Sequence, residues 1–411
     1  MIPSLRRQFN ASFTADKYQK FLRRIDQVSG THVQFRLCET PCFFPKELID
    51  RMSCAGEELI RQLVDNPKYR AKSDDAVPTE FKVPNEVPHP MFVQVDFGVT
   101  RDAEGELQAK LVELQAFPSL YAYQGPLAQA YIDVYGLEQL ASDLGPQTSG
   151  SNSRLKYLLS GLDTSSYREL LRQAIVGSHD PENVILMEID PTHQKTLPDF
   201  LMTEKLLGIR TVDIVDIKKE GSRLCYERDG KRIPIRRIYN RAIIDELERK
   251  NIKLAFDWRD DLEVEWAGHP NWYFRISKFS IPYLKHDSVP KTWFLDQLPE
   301  IPRDLDNFAL KPLFSFAGLG VIIAPKKEDI SAIPADKRPY YILQERLNFE
   351  PVIETPFGGT KAEIRVMYIW LDELQPVLTI IRTGRGLMMG VDHNKNMEWV
   401  GASAGLYLDE N

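Results

Sequence analysis

The chain reads as a mixed α/β protein of the α+β kind. Three observations predict this: helical runs near the start, one long alternating hairpin after them, and a change of rhythm near Leu155 to strands that alternate with helices. Its 411 residues suffice for two or three domains with sizeable cores. The expected division is an N-terminal helical region over 1–90, a hairpin and helix over 91–150, a strand–helix domain over 151–268 and a mixed unit over 269–411.

Each element has its own signal. Phe13 and Thr14 form a staple and cap before an amphipathic run carrying Tyr18, Leu22 and Ile25. A second helix starts at Pro45, a favoured first-turn residue, and carries Leu48, Ile49, Met52, Leu59, Ile60, Leu63 and Val64 on one side. Lys72 to Pro90 is rich in Pro and charge and reads as a connecting loop. Both arms of Phe92–Phe117 alternate, with Glu104–Gly105 as a tight turn between them. A helix follows from Pro126, then a linker by composition at Gly145–Ser153.

Beyond the linker, Asn183–Ile189 is a buried-strand run, Leu197–Leu207 a helix ending at Gly208, and Thr211–Val215 a strand. Cys225–Arg236 holds a hairpin around Asp229–Gly230, and Ile238–Asn240 leads into a helix over 243–250. This alternation suggests a parallel sheet of Rossmann type. No GxGxxG is present, so a dinucleotide site is not indicated. Further strands are expected at Phe308–Pro312, Val321–Ala324, Tyr340–Gln344, Lys361–Leu371 and Pro376–Arg382. A flexible stretch, TGRGLMMGVDHNKN, separates the last of these from the closing GASAGLYL.

Bulk properties narrow the function classes. A net charge of −7 argues against a nucleic-acid or anionic-membrane surface but allows a local basic cleft. No apolar run approaches a membrane span, and no basic–apolar leader opens the chain, so a cytoplasmic location is expected. The four cysteines, Cys38, Cys42, Cys54 and Cys225, lack zinc-ribbon spacing and read as reduced thiols. The histidines, including His193, His269 and His393, lack metal spacing and read as structural.

Chemistry concentrates on the hairpin. Pairing about Glu104–Gly105 sets Asp96 opposite Glu113, with Gln94 and Gln115 on the same face. Facing carboxylates repel by roughly 0.2–1 kcal/mol, and a divalent cation reverses that sign. All-oxygen ligands suit magnesium; the bland alternative is a solvated hairpin face.

Other constellations lie in the last third. Lys311 ends a strand before a glycine-bearing turn, which suits a phosphate or simply solvent, and the turn is not a Walker motif. Gln344 to Leu347 leave a buried strand, where an adenine ring and ribose would fit as well as an ordinary strand exit. Glu363 and Arg365 share a strand face, as an internal ion pair or a cleft lining. Arg382 precedes a loop with Gly384, Gly386 and Gly390, and suits bidentate grip of a carboxylate. That loop is either a lid or a plain surface loop.

Taken together these segments resemble the ATP-grasp superfamily in its circularly permuted form. Within it they are similar to eukaryotic-type glutathione synthetase and the synthetase part of glutathionylspermidine synthase. VDFGVTRDAEGELQAKLVELQAFPSL resembles their early metal-ligand hairpin. FALKPLFSFAGLGV resembles the phosphate-binding lysine and glycine-rich loop, and YILQERLNFEP the adenine hinge. RTGRGLMMG with GASAGLYL resembles the substrate arginine, lid loop and final strand. In unpermuted relatives the metal-ligand segment comes last; here it comes early.

The resemblance implies an ATP-dependent ligase that joins a small-molecule acid to an amine through an acyl phosphate, using ATP and magnesium (Mg2+). Asp96, Glu113 and Gln115 would hold the metal. Lys278 and Lys311 would contact the ATP phosphates, with Ser315, Gly318 and Gly320 closing over them. Gln344, Glu345 and Leu347 would hold adenine and ribose, with Glu363 nearby, and Arg382 would bind the acceptor carboxylate or the moving phosphoryl group. The domain at 151–268 would be the substrate domain, and 269–411 the nucleotide-binding unit. The pattern breaks at Gln94, in place of a substrate-binding arginine, and at Gln115, in place of an asparagine. It breaks again at Ser315, in place of a glutamate, and at Gly384, in place of a lysine. These departures point away from glutathione or γ-glutamylcysteine chemistry and towards weaker or altered metal binding. Two alternatives stay open: a kinase of the same fold, and a non-catalytic ATP-binding or regulatory protein, which the changes at Gln115 and Ser315 favour.

Overall fold

A computed structural model describes residues 1–142, 154–314, 319–394 and 396–409. The expected linker at 145–153, together with Ser315 and Gly318, lies outside the described residues. Among those described, the chain forms four sheets with helices packed between them.

The strands run in chain order as follows. After two helices, Pro3–Ser12 and Ala15–Ser29, comes β1 (Cys42–Phe43), and after the helix Lys46–Val64 come β2 (Phe92–Arg101) and β3 (Leu107–Gln115). β4 (Arg154–Lys156) follows the helices Gln124–Tyr135 and Leu137–Ser142. The middle of the chain gives β5 (Val184–Glu188), β6 (Arg210–Asp213), β7 (Lys218–Glu220), β8 (Arg223–Arg228), β9 (Lys231–Ile235), β10 (Arg237–Asn240) and β11 (Glu265–Ala267). The last third gives β12 (Thr292–Phe294), β13 (Phe308–Pro312), β14 (Ile322–Ile323), β15 (Tyr341–Glu345) and β16 (Ile353–Thr355). It closes with β17 (Gly358–Trp370), β18 (Leu374–Gly384) and β19 (Gly401–Asp409).

The largest sheet has eight strands, ordered β1-β19-β18-β17-β2-β3, with β16 on β17 and β4 on β19. Alternation along its strands gives it two unlike faces. On one, Val93, Val95, Phe97, Ile364 and Val366 are buried in the core that includes Leu48, Ile49 and Met52 of the helix Lys46–Val64. Gly56 lets that helix lie close: a Cβ there would stand 2.1 Å from the Tyr368 hydroxyl, which donates to the Ser53 carbonyl at 2.7 Å. On the other face, Phe92, Met367, Ile369 and Ile380 join a second core with the helix Gln124–Tyr135. The same face continues as Gln94, Asp96, Glu363, Arg365 and Arg382. A half-apolar, half-charged face is thus written into three strands.

The middle of the chain folds as expected into a four-stranded parallel sheet, ordered β11-β10-β5-β6. The helix Leu197–Leu207 and the residue after β10 clamp the segment that follows β3. Asp199 accepts the backbone N–H groups of Leu120, Ala122 and Tyr123 at 3.2, 3.0 and 3.1 Å, and Arg241 donates to the Pro118 carbonyl. The antiparallel sheet β12-β15-β13-β14 supplies the second wall beside the charged face.

Local signals hold with small shifts. Thr14 caps its helix by accepting from the Lys17 N–H at 3.2 Å, and Gly30 ends it at φ +75°. Pro45 sits at the N-cap rather than inside the first turn. Lys72–Pro90 carries short 3₁₀ turns and is tied down by Arg275, which reaches Ser73, Asp74 and Glu86. Within the stretch expected to be flexible, Asn394 accepts from the N–H groups of Arg385 and Gly386 and donates to the carbonyls of Met388 and Gly390.

Candidate functional site

The hairpin pairs Asp96 with Glu113 and Gln94 with Gln115, as its symmetry predicts. The route there differs. The loop is the wider Asp102–Glu106 rather than a tight turn at Glu104–Gly105, and near it the register is one residue off the symmetric one. A bulge at Val112 restores the register before Asp96 is reached. The Leu111 N–H donates to the Ser288 carbonyl at 2.7 Å, and the Val112 carbonyl accepts from Lys311 Nζ at 3.4 Å. The bulge is therefore where the two antiparallel sheets meet.

Across β17, β2 and β3, Arg365, Asp96 and Glu113 stand in one row. Glu363 and Arg382 face each other one step along, across β17 and β18. Gly98 lies opposite Glu363 and leaves room for the Phe349 ring; a Cβ there would stand 2.7 Å from it. Four basic side chains, Lys278, Lys311, Arg365 and Arg382, thus meet three carboxylates, Asp96, Glu113 and Glu363.

Asp96 is fully buried and doubly held. Arg365 grips it with two nitrogens, Nε to Oδ1 at 2.5 Å and Nη2 to Oδ2 at 2.6 Å, and Arg382 pairs with Oδ2 as well as with Glu363. Glu113 lies 3.5 Å from Lys278 and 3.8 Å from Arg365. Burial alone would raise its carboxyl, but Lys278, Arg365, Arg382 and Lys311 hold it down to about 2. Glu363 goes the other way: burial, with Asp96 and Glu113 close by, pushes it up to about 7 against the pull of Arg382. Arg382 is raised further above its ordinary value, since Glu363, Asp96 and Glu113 outweigh its burial.

Lys311 Nζ lies 2.5 Å from Gln344 Oε1. Burial pulls the ammonium down to about 8, although Glu113 opposes this. Among the described residues its two hydrogen-bond acceptors, Gln344 and Val112, are neutral. Gln344 is buried, and its Nε2 has no hydrogen-bond partner among the described residues. A buried donor left unmade costs about 1–3 kcal/mol, so this amide is poised for an acceptor that is not part of the chain. Together Lys311 and Gln344 present a cation and a free N–H between the two sheets, a fitting cradle for an anion.

Of the residues expected to act together, Asp96, Glu113, Gln115, Lys278, Lys311, Gln344, Glu363 and Arg382 converge. Glu345 does not join them, because its carboxylate meets the Lys291 N–H at 3.3 Å and Lys291 Nζ at 3.7 Å. Leu347 is half-buried just past β15, and Gly320 is close enough to Pro312 that a Cβ would stand 3.1 Å away. Arg365 takes the central position, and its sharing a face with Glu363 is the sequence signal that points to it.

The magnesium expectation does not fit these side chains as they stand. Asp96, Glu113 and Gln115 surround the Arg365 guanidinium, so their oxygens face a resident cation rather than an open position. Two surface cavities, about 320 Å³ beside Trp370 and about 300 Å³ beside Trp266, are lined by other residues. No helix among the described residues is long and apolar enough to cross a membrane.

The chain matches no family model and no curated protein. Among solved structures it is similar to a glutathione synthetase-like effector, GSS30, from Globodera pallida in its apo form. The TM-score is 0.56 at 12% identity, over 94% of this chain and 97% of that one. The likeness spans both chains nearly end to end and establishes a glutathione synthetase-like fold.

Proposed function

We propose that this chain is a circularly permuted ATP-grasp protein that binds ATP between its two antiparallel sheets and joins a carboxylic acid to an amine. The observation that carries the reading is the Lys311–Gln344 cradle, a half-buried ammonium beside an unpartnered buried N–H, facing the charged row of β2 and β17. The glutathione synthetase-like fold supports it. On this reading 1–90 is an accessory helical region, 91–150 the first part of the ATP-grasp unit, 151–268 the substrate domain and 269–411 the nucleotide unit.

A substrate carboxylate oxygen attacks the γ-phosphorus of ATP, the bond to ADP breaks, and an acyl phosphate forms. The amine nitrogen then attacks the acyl carbon, loses a proton, and phosphate departs. Lys278 and Lys311 neutralise the moving phosphoryl charge, and Arg382 orients the carboxylate. Neither step needs a protein nucleophile. An ADP-release screen across amino acids, short peptides and polyamines tests this. ADP and amide formed together support it, and the absence of ADP with every acid–amine pair refutes it.

A second reading is non-catalytic ATP binding. The saturation of Asp96 by Arg365 and Arg382 favours it, because a self-neutralised carboxylate has little left to offer a reaction. ATP binding without turnover in the same screen selects it.

A further inference from the structure

The residues around Arg365 form a cage for one cation. Nε and Nη2 bind Asp96 at 2.5 and 2.6 Å, and Nη1 donates to Gln94 Oε1 at 2.9 Å. Gln115 donates Nε2 to Gln94 Oε1 at 3.0 Å; turning its amide over would instead let its oxygen accept from Arg365 Nη1 at 2.6 Å and Nη2 at 2.8 Å. Glu113 Oε1 stands 3.8 Å from Nη2. All three guanidinium nitrogens are therefore engaged by oxygen atoms. The cross-strand register dictates this, since Arg365 is paired with Asp96 and Asp96 with Glu113.

We propose that Arg365 is a resident cation that replaces a divalent metal at this centre and keeps one out. Three physical facts carry the proposal. A guanidinium does not lose its proton in a protein, so it cannot vacate the cage by titration, as an imidazole or a buried amine can. Magnesium requires oxygens at about 2.0–2.1 Å in near-octahedral order, and both Asp96 oxygens are already spent on arginines. A second cation entering beside Arg365, Arg382 and Lys278 meets fixed positive charge on three sides. The inference rests on the ATP-binding reading and deepens it, by making this part of the cleft independent of protein-bound metal.

The test is a titration of the full chain with Mn2+ alone, free Mn2+ being followed by electron paramagnetic resonance. It contains no nucleotide, so its outcome does not depend on whether ATP binds. The parent is expected to take up no Mn2+ below millimolar concentration. Arg365→Gln is expected to gain one site at least tenfold tighter, lost again in Arg365→Gln/Asp96→Asn. Arg365→Lys, which keeps the charge, is expected to behave as the parent. Stoichiometric micromolar uptake by the parent, abolished by Asp96→Asn, overturns the proposal without needing any Arg365 variant to fold. A folded Arg365→Gln that gains no site overturns it as well.

Discussion

Gln344 holds Lys311 through Oε1 at 2.5 Å while its own Nε2 is buried without a hydrogen-bond partner among the described residues. Half of this amide serves the chain and half is left for something else. Replacing it with leucine removes the orphan donor but also the oxygen that accepts from Lys311, two changes of opposite sign, so the ligand-free protein is expected to change by less than about 1 kcal/mol in urea unfolding. ATP affinity is expected to fall about tenfold, the equivalent of one hydrogen bond of about 1.4 kcal/mol. A large loss of stability with unchanged ATP binding would make Gln344 a structural residue only.

Asp96 is the buried anion that Arg365 and Arg382 share. Asp96→Asn leaves two guanidinium groups facing each other without it. Breaking such a pair from one side costs about 3–5 kcal/mol, measurable as a lower urea midpoint. In the double variant Asp96→Asn/Arg365→Gln the loss should be smaller than in Asp96→Asn alone, because one unpaired charge is gone. Simple addition of the two single losses would show that the pair is not coupled.

Glu188 gives a pH-dependent prediction away from the charged face. It lies buried at the end of β5, accepts the Ile189 N–H at 2.8 Å, and burial raises its carboxyl from 4.5 to about 8 despite Arg241. Because folding raises this pKa, the folded state binds the proton more tightly. The contribution is complete below about 4.5 and is lost as pH rises towards 8. Glu188→Gln should therefore match the parent at pH 5 and exceed it at pH 8.5, by an amount on the order of 3 kcal/mol. An equal difference at both pH values would mean that Glu188 ionises as an ordinary carboxylate.

Much of the fold could be read from period and punctuation. Thr14, Gly30, Gly208 and the Asp229–Gly230 turn sit where local chemistry puts them, because caps and turns depend on neighbours in sequence. The Asp96–Glu113 pairing was legible too, yet for an incomplete reason. The wide loop and the Val112 bulge are two offsetting departures from the symmetric hairpin, and alternation alone does not reveal either. Arg365 was visible as a charged neighbour of Glu363 on one face. Its grip on Asp96 was not, since that depends on β17 pairing with a strand more than 250 residues earlier. The loop after Arg382 reads as flexible from its glycines; its ties through Asn394, Arg385 and Lys361 have no periodic signature.

The most direct measurement is calorimetric titration of ATP into the parent and into Lys311→Ala. Lys311 is the cation at the junction of the two sheets whose hydrogen-bond acceptors among the described residues are both neutral, so an anionic ligand there should depend on it. The parent is expected to bind ATP, and Lys311→Ala to bind it about 10–100-fold more weakly, the value of a charge-assisted hydrogen bond of about 1.5–3 kcal/mol. Equal affinity in both proteins, or no binding by the parent, would contradict a nucleotide site between these sheets.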